Sequence, residues 1–197
     1  ANKALSIKPD CPESSFVYWA VTDAQNRNSS YLKKAINSNL IVALIHAGSL
    51  ERRQGNYNNA LELFKNIVKI IPEHVHTLVN IGNVYLKLNE PELSLEYYKK
   101  ALKIQENDSY VYFNYGAAYV TMQKYREAEN YYKKAVQINP NFFYAHLMLA
   151  KLYKKELKND TLFKFHFNQA KEIKRKQREI INERRTNAEH ENIVTYR

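Results

Sequence analysis

The histidines and the single cysteine are the side chains best suited to chemistry, and their spacing argues against it. His74 and His76 lie two apart, which on a helix points them to different faces, whereas paired metal ligands on a helix sit three or four apart. His146 stands in register with Leu78 and Tyr112, in a slot that recurs along the chain, so it reads as a packed histidine and not a catalytic one. Cys11 has no neighbouring sequence that marks a nucleophile, and nothing places His46 or His166 beside it. The glycines form neither a GxGxxG nor a GxxxxGK string, so no phosphate-binding loop is expected. The expectation is a chain that recognises a partner, with no catalytic residue, no metal and no cofactor.

The glycines instead report how the chain is built. Gly48, Gly82 and Gly116, three of the four present, are evenly spaced. Other positions keep the same step: Leu44, Leu78 and Tyr112; Phe64, Tyr98 and Tyr132; Ile67, Ala101 and Ala135; and, two steps apart, Pro72 and Pro140. A period of about 34 residues is that of stacked helical hairpins. Within one period, Val75, Leu78, Val79, Ile81, Tyr85 and Leu86 follow the three-and-four spacing of an amphipathic helix. Asn89-Glu90-Pro91 breaks it, and Pro91 sits where a second helix begins and a missing N–H costs least. Gly55-Asn56-Tyr57 and Gln123-Lys124-Tyr125 are the turns of the neighbouring units. Gly48, Gly82, Gly116 and Ala150 mark the close approach of the two helices of each hairpin.

Composition bounds the rest. With 197 residues, 45% of them apolar, the chain can bury a continuous core without disulfides. The lone Cys11 fits a reducing compartment, which together with the lack of a signal-peptide layout or an apolar run of about 18 residues favours an intracellular address, cytoplasmic first, nuclear or ciliary next. The net charge of +10 favours acidic partners of any kind.

Leu78, Ile81, Gly82, Tyr85, Tyr98 and Ala101, then Tyr112, Tyr115, Gly116, Tyr119, Ala128, Tyr132, Ala135 and Pro140, resemble the pattern of the tetratricopeptide repeat (TPR) family. The near-identical strings Tyr97 to Ala101 and Tyr131 to Ala135 sharpen the likeness. The resemblance covers 41–175, with repeats starting near 41, 75, 109 and 143, and implies an all-α fold, an α-solenoid of antiparallel hairpins in a right-handed superhelix. In the fourth repeat Phe167 and Ala170 fall one residue late, which implies an extra residue in the turn around Lys158 to Thr161. Residues 1–10 mirror the end of a preceding repeat and 11–40 a degenerate, shortened one, as if the sequence began in mid-repeat or lacked residues near 26–30. Residues 176–197 read as a charged helical extension that continues from the last hairpin without a break, to about Arg185.

The family resemblance also implies a concave groove lined by the first helix of each hairpin. Carried over by register, its residues are Val42, Ile45, His46, Ser49 and Arg52; His76, Val79, Asn80, Asn83 and Lys87; Tyr110, Phe113, Asn114, Ala117 and Thr121; and Tyr144, Leu147, Met148, Lys151 and Lys155. Asn80, Asn83 and Asn114 are singled out because a carboxamide both donates and accepts, and so can pair with the backbone of an extended ligand whatever its side chains. Val79, Phe113 and Leu147 are apolar anchors, and Arg52, Lys87, Lys151 and Lys155 steer charge. The slots that are basic in the family's chaperone-tail clamp hold Val79, Tyr144 and Met148 here, which argues against that ligand. The expected function is a non-enzymatic scaffold that grips a peptide or helix of a protein partner inside a larger assembly. An RNA-binding repeat, or the targeting region of an enzyme whose catalytic domain lies outside this sequence, are the alternatives.

Overall fold

The computed structural model describes residues 38–195; the expectations for 1–10, for 11–40 up to residue 37 and for Cys11 lie outside it. Among the described residues every regular element is an α-helix. In chain order these are α1 (Ser38–Gln54), α2 (Tyr57–Ile70), α3 (Val75–Lys87), α4 (Pro91–Ile104), α5 (Ser109–Thr121), α6 (Tyr125–Ile138), α7 (Phe143–Lys155) and α8 (Asp160–Thr195). The class is an all-α helical-repeat solenoid. None of the described helices is long and apolar enough to cross a membrane.

The chain divides after Glu106 into two compact units. In the first, Ile41 and Leu44 of α1, Ala60, Leu61, Leu63, Phe64 and Ile67 of α2, and Ile81 and Val84 of α3 form one buried cluster. In the second, Ala128 and Tyr132 of α6 and Leu149, Leu152 and Tyr153 of α7 do the same, with Leu162 and Phe163 of α8 packed against them.

Each of the first three hairpins is locked by one glycine against one ring. A β-carbon added at Gly48 would lie 2.6 Å from the Phe64 ring, and one at Gly116 would lie 2.5 Å from the Tyr132 ring; at Gly82 it would collide with Tyr98. The two helices are close because no side chain stands between backbone and ring. The turns repeat as faithfully. Gly55, Asn89 and Gln123 each take the left-handed conformation, with φ of 85°, 60° and 58°. The following N–H groups of Asn56, Glu90 and Lys124 donate back to the carbonyls of Glu51, Tyr85 and Tyr119, each at 2.9 Å, satisfying acceptors that a helix end leaves open.

The last hairpin differs by one residue. Its left-handed residue is Lys158 (φ 51°), and Asn159 N–H reaches back to Tyr153, one position further than in the other turns. The extra residue is therefore in the turn, but its effect on the packing differs from the sequence expectation. Phe167 is 41% exposed, and His166, one repeat period after Tyr132, is buried at the ring position, while Ala170 is buried as expected. One turn residue shifts the start of α8, and the helix then settles with His166, Ala170 and Ile173 inward.

Helix starts are explained locally. The His74 ring accepts from Thr77 N–H at 3.2 Å, Asp108 from Tyr110 and Val111 N–H at 2.8 and 3.2 Å, and Asn159 from Leu162 N–H at 3.0 Å. Pro91 opens α4. Helix α8 passes Arg175 without interruption, as expected, but runs beyond the expected end near Arg185 to Thr195; the Arg175 guanidinium pairs with Glu172 at 2.5 Å and Glu179 at 2.9 Å.

Candidate functional site

In the first unit α1 and α3 are in contact, and each turns one side away from its hairpin partner. By the 3.6-residue period that side carries Val42, Ile45, His46 and Ser49 on α1, and His76, Val79, Asn80, Asn83 and Lys87 on α3. Val42, His46, His76 and Lys87 are exposed, while Ile45, Ser49, Val79 and Asn83 are half-buried. The basic position needs revision. Lys87 has its counterpart one period earlier in the exposed Arg53, whereas Arg52 is half-buried and acts electrostatically on Tyr98. Sequence reasoning missed Arg53, although counting back one period from Lys87 would have found it.

A polar centre lies beneath this face. The Tyr98 hydroxyl donates to Asn83 Oδ1 at 2.7 Å, so that carbonyl is already engaged within the hairpin. Burial pushes the Tyr98 phenol up to about 12, and the hydroxyl stays neutral as a donor. Asn80 is 8% exposed, and its Nδ2, like the buried Nε of Arg52, has no acceptor among the described residues. A buried N–H without an acceptor costs about 1–3 kcal/mol, so these two donors are unmet hydrogen-bonding capacity close to the face.

In the second unit the corresponding sides of α5 and α7 are aromatic and basic. Tyr110 is 62% exposed with its ring 4.6 Å from Phe142, and Tyr144 is 59% exposed, edge-on to Phe143. Phe113 lies between Tyr132 and Phe142, 5.5 and 5.2 Å from their rings, so it supports the surface more than it protrudes from it. Asn114, Ala117, Leu147 and Met148 are half-buried, and the Thr121 hydroxyl donates to the Ala117 carbonyl at 3.2 Å. Lys151 and Lys155 are exposed on α7, a helix with no acidic residue.

Other tyrosines are spent on one another. Tyr131 stacks with Tyr115 at 4.8 Å and Tyr119 at 5.2 Å, and Lys134 covers Tyr112 at 4.3 Å. Packing of this kind leaves few ring faces for bases, which weighs against nucleic-acid stacking.

A second polar cluster, not foreseen from the sequence, is buried between α7 and α8. His146 and His166, each 6% exposed, meet through their Nδ1 atoms at 3.0 Å, and His146 Nε2 lies 3.0 Å from the Pro140 carbonyl. The Tyr153 ring stacks on His166, and its hydroxyl donates to Glu129 Oε1 at 2.7 Å. Burial pushes the Glu129 carboxyl up, but hydrogen bonds from Lys133, Tyr153 and Arg126 outweigh it and hold the group below its ordinary range. His146 was legible as a packed residue; its partner was hidden by the extra turn residue, which pointed to Phe167 instead.

Comparison with known proteins agrees with this architecture. Tetratricopeptide repeat family models match residues 39–107 and 109–142. No curated protein sequence matches the chain. Among solved structures, the chain is similar to a crystal structure of MamA, at 20% identity and TM-score 0.64, over 83% of this chain and 91% of that one. It is also similar to MamA 41-end from Desulfovibrio magneticus RS-1, at 22% identity and TM-score 0.60, over 85% and 98% of the two chains. The first TPR of Spaghetti (RPAP3) bound to an HSP90 peptide is similar at 23% identity and TM-score 0.55, over 60% and 94%.

Proposed function

We propose that this chain, which belongs to the tetratricopeptide repeat family, is an interaction scaffold whose first helices hold a segment of a partner protein. The observation that carries the reading is one repeat position. It holds Val42, His76, Tyr110 and Tyr144, all exposed, with Val42 at 50% and the two tyrosines near 60%. Large apolar or aromatic groups presented outward at a fixed period are otherwise a solvation cost, and rigid, partly supported tyrosines are the groups that interfaces favour. Tyr110 is already braced by Phe142, so little side-chain entropy remains to be lost on binding.

The polar partners of this contact follow from which donors are unmet. Asn80 Nδ2 supplies an N–H for a backbone carbonyl of an extended segment, and Asn114 occupies the same position one period on. Asn83 contributes less, since its carbonyl holds Tyr98. Val79 and Leu147 offer half-buried apolar surface, and Arg53, Lys87, Lys151 and Lys155 favour an acidic segment. His46 adds an exposed imidazole on α1. In one similar structure, the first TPR of Spaghetti (RPAP3) holds an HSP90 peptide, which supports a protein ligand as the class.

The test is a set of face-directed variants. Tyr110→Ser with Tyr144→Ser should weaken capture of a protein partner by about tenfold or more while circular dichroism stays unchanged, because both rings lie outside the buried cores. Equal capture by the variant would overturn the assignment of this face.

A further inference from the structure

Among the described residues four hairpins place two side chains at the same pair of positions, one on each helix: Leu44 with Phe64, Leu78 with Tyr98, Tyr112 with Tyr132, and His146 with His166. The first three pairs are hydrocarbon or phenol and carry no charge near neutral pH. The fourth alone is two imidazoles, buried and 3.0 Å apart.

The hydrogen bonds fix where the protons are. The Pro140 carbonyl can only accept, so His146 Nε2 carries a proton and donates to it. In the neutral ring His146 Nδ1 is then a bare lone pair, and His166 Nδ1–H donates to it. A single proton added to the pair is shared across the Nδ1–Nδ1 contact, with N–H on both Nε2 atoms, and leaves one cation buried between α7 and α8; a second proton would set N–H against N–H. A proton added to His166 goes to Nε2 and leaves a cation under the Tyr153 ring, beside a second imidazole.

We propose that the His146–His166 contact is a proton-operated latch: neutral, it fastens α8 to α7, and protonated, it releases the long C-terminal helix. The surroundings set the direction of the response. From α6, Lys133 disfavours a cation on His166, while Glu129 favours one but is already engaged by Tyr153, Lys133 and Arg126. From α7 come the Tyr153 ring and His146 itself, from the α6–α7 loop the Pro140 carbonyl, and from α8 the edge-on Phe165. Burial, then His146 and Lys133, hold His166 down to about 4, and burial lowers His146 as well.

The sign follows from linkage. An unfolded or opened His166 takes a proton near its ordinary value of about 6.5 while the closed form resists until about 4, so the closed form is fully favoured above 6.5 and loses ground as pH falls between the two. Taking His166 alone, opening of the hairpin should rise about 30-fold between pH ~7.5 and pH ~5. Glu129 does not interfere in this window, since its carboxyl is held below its ordinary range.

Amide exchange of the full chain, corrected for the intrinsic pH dependence, tests this. Protection in α7 and α8 should fall by about that factor relative to α5, and His146→Leu with His166→Phe, which restores residue types found at these positions in the other hairpins, should abolish the difference. A double variant that keeps the same pH dependence would overturn the latch. An NMR titration of the native chain gives an independent reading, valid even where the double variant does not fold: two imidazoles titrating near 6.5 would also overturn it, and His166 titrating well below that range is the expected result.

Discussion

At the residue scale, the repeat is specified by pairs of groups that leave no room for each other's alternatives. Gly116 is the clearest case, because the Tyr132 ring occupies the space of its missing β-carbon. We expect Gly116→Ala to destabilise the chain by roughly 1–3 kcal/mol through displacement of a buried ring, read as a lower midpoint in urea unfolding; an unchanged midpoint would contradict the close-packing role. Tyr98→Phe should cost about 1 kcal/mol, since it removes the donor to Asn83 and leaves that carbonyl without its partner, and calorimetry checks it. The glycine–ring pairs were legible in the sequence because both members recur with one period. The bond between Tyr98 and Asn83 was not, since it joins two helices and periodicity says nothing of hydroxyl direction. Periodicity alone therefore leaves Asn83 as an open ligand group, and it does not tell the half-buried Arg52 from the exposed Arg53 beside it.

At the scale of elements, the hairpin turns carry a testable cost. Gly55 takes its left-handed conformation freely, whereas Gln123, at the equivalent position two hairpins on, takes it with a side chain. Gln123→Gly should therefore stabilise the second unit by about 0.5–1 kcal/mol in urea unfolding, and a loss of stability would contradict the backbone argument. The turns also explain what the sequence misassigned. The extra residue of the last one was readable from the spacing of Ala170, but the inward turn of His166 in place of Phe167 depends on how α8 rotates to bury Ala170 and Ile173. The persistence of α8 past Arg175 was legible from good helix formers and charge spacing; the ion pairs with Glu172 and Glu179 are exposed and add little beyond local support.

At the scale of the whole molecule, the net charge of +10 bears on how a partner arrives more than on how tightly it stays. Association with an acidic segment should slow by about tenfold or more between low and physiological salt, with a smaller change in dissociation rate, as stopped-flow kinetics would show. The central claim is that recognition belongs to the first helices and not to the outer surfaces of the second ones. Photo-crosslinking groups placed in turn at His76, Tyr110 and Tyr144, and at the exposed second-helix positions Lys99, Lys103 and Gln137, address it directly, with the linked peptides mapped by mass spectrometry. In each unit the predicted result is a partner segment joined to the first-helix positions, lost on Asn80→Ala in the first unit and on Tyr110→Ser in the second. The same segment joined equally to the second-helix positions of that unit, Lys99 and Lys103 or Gln137, would contradict the claim.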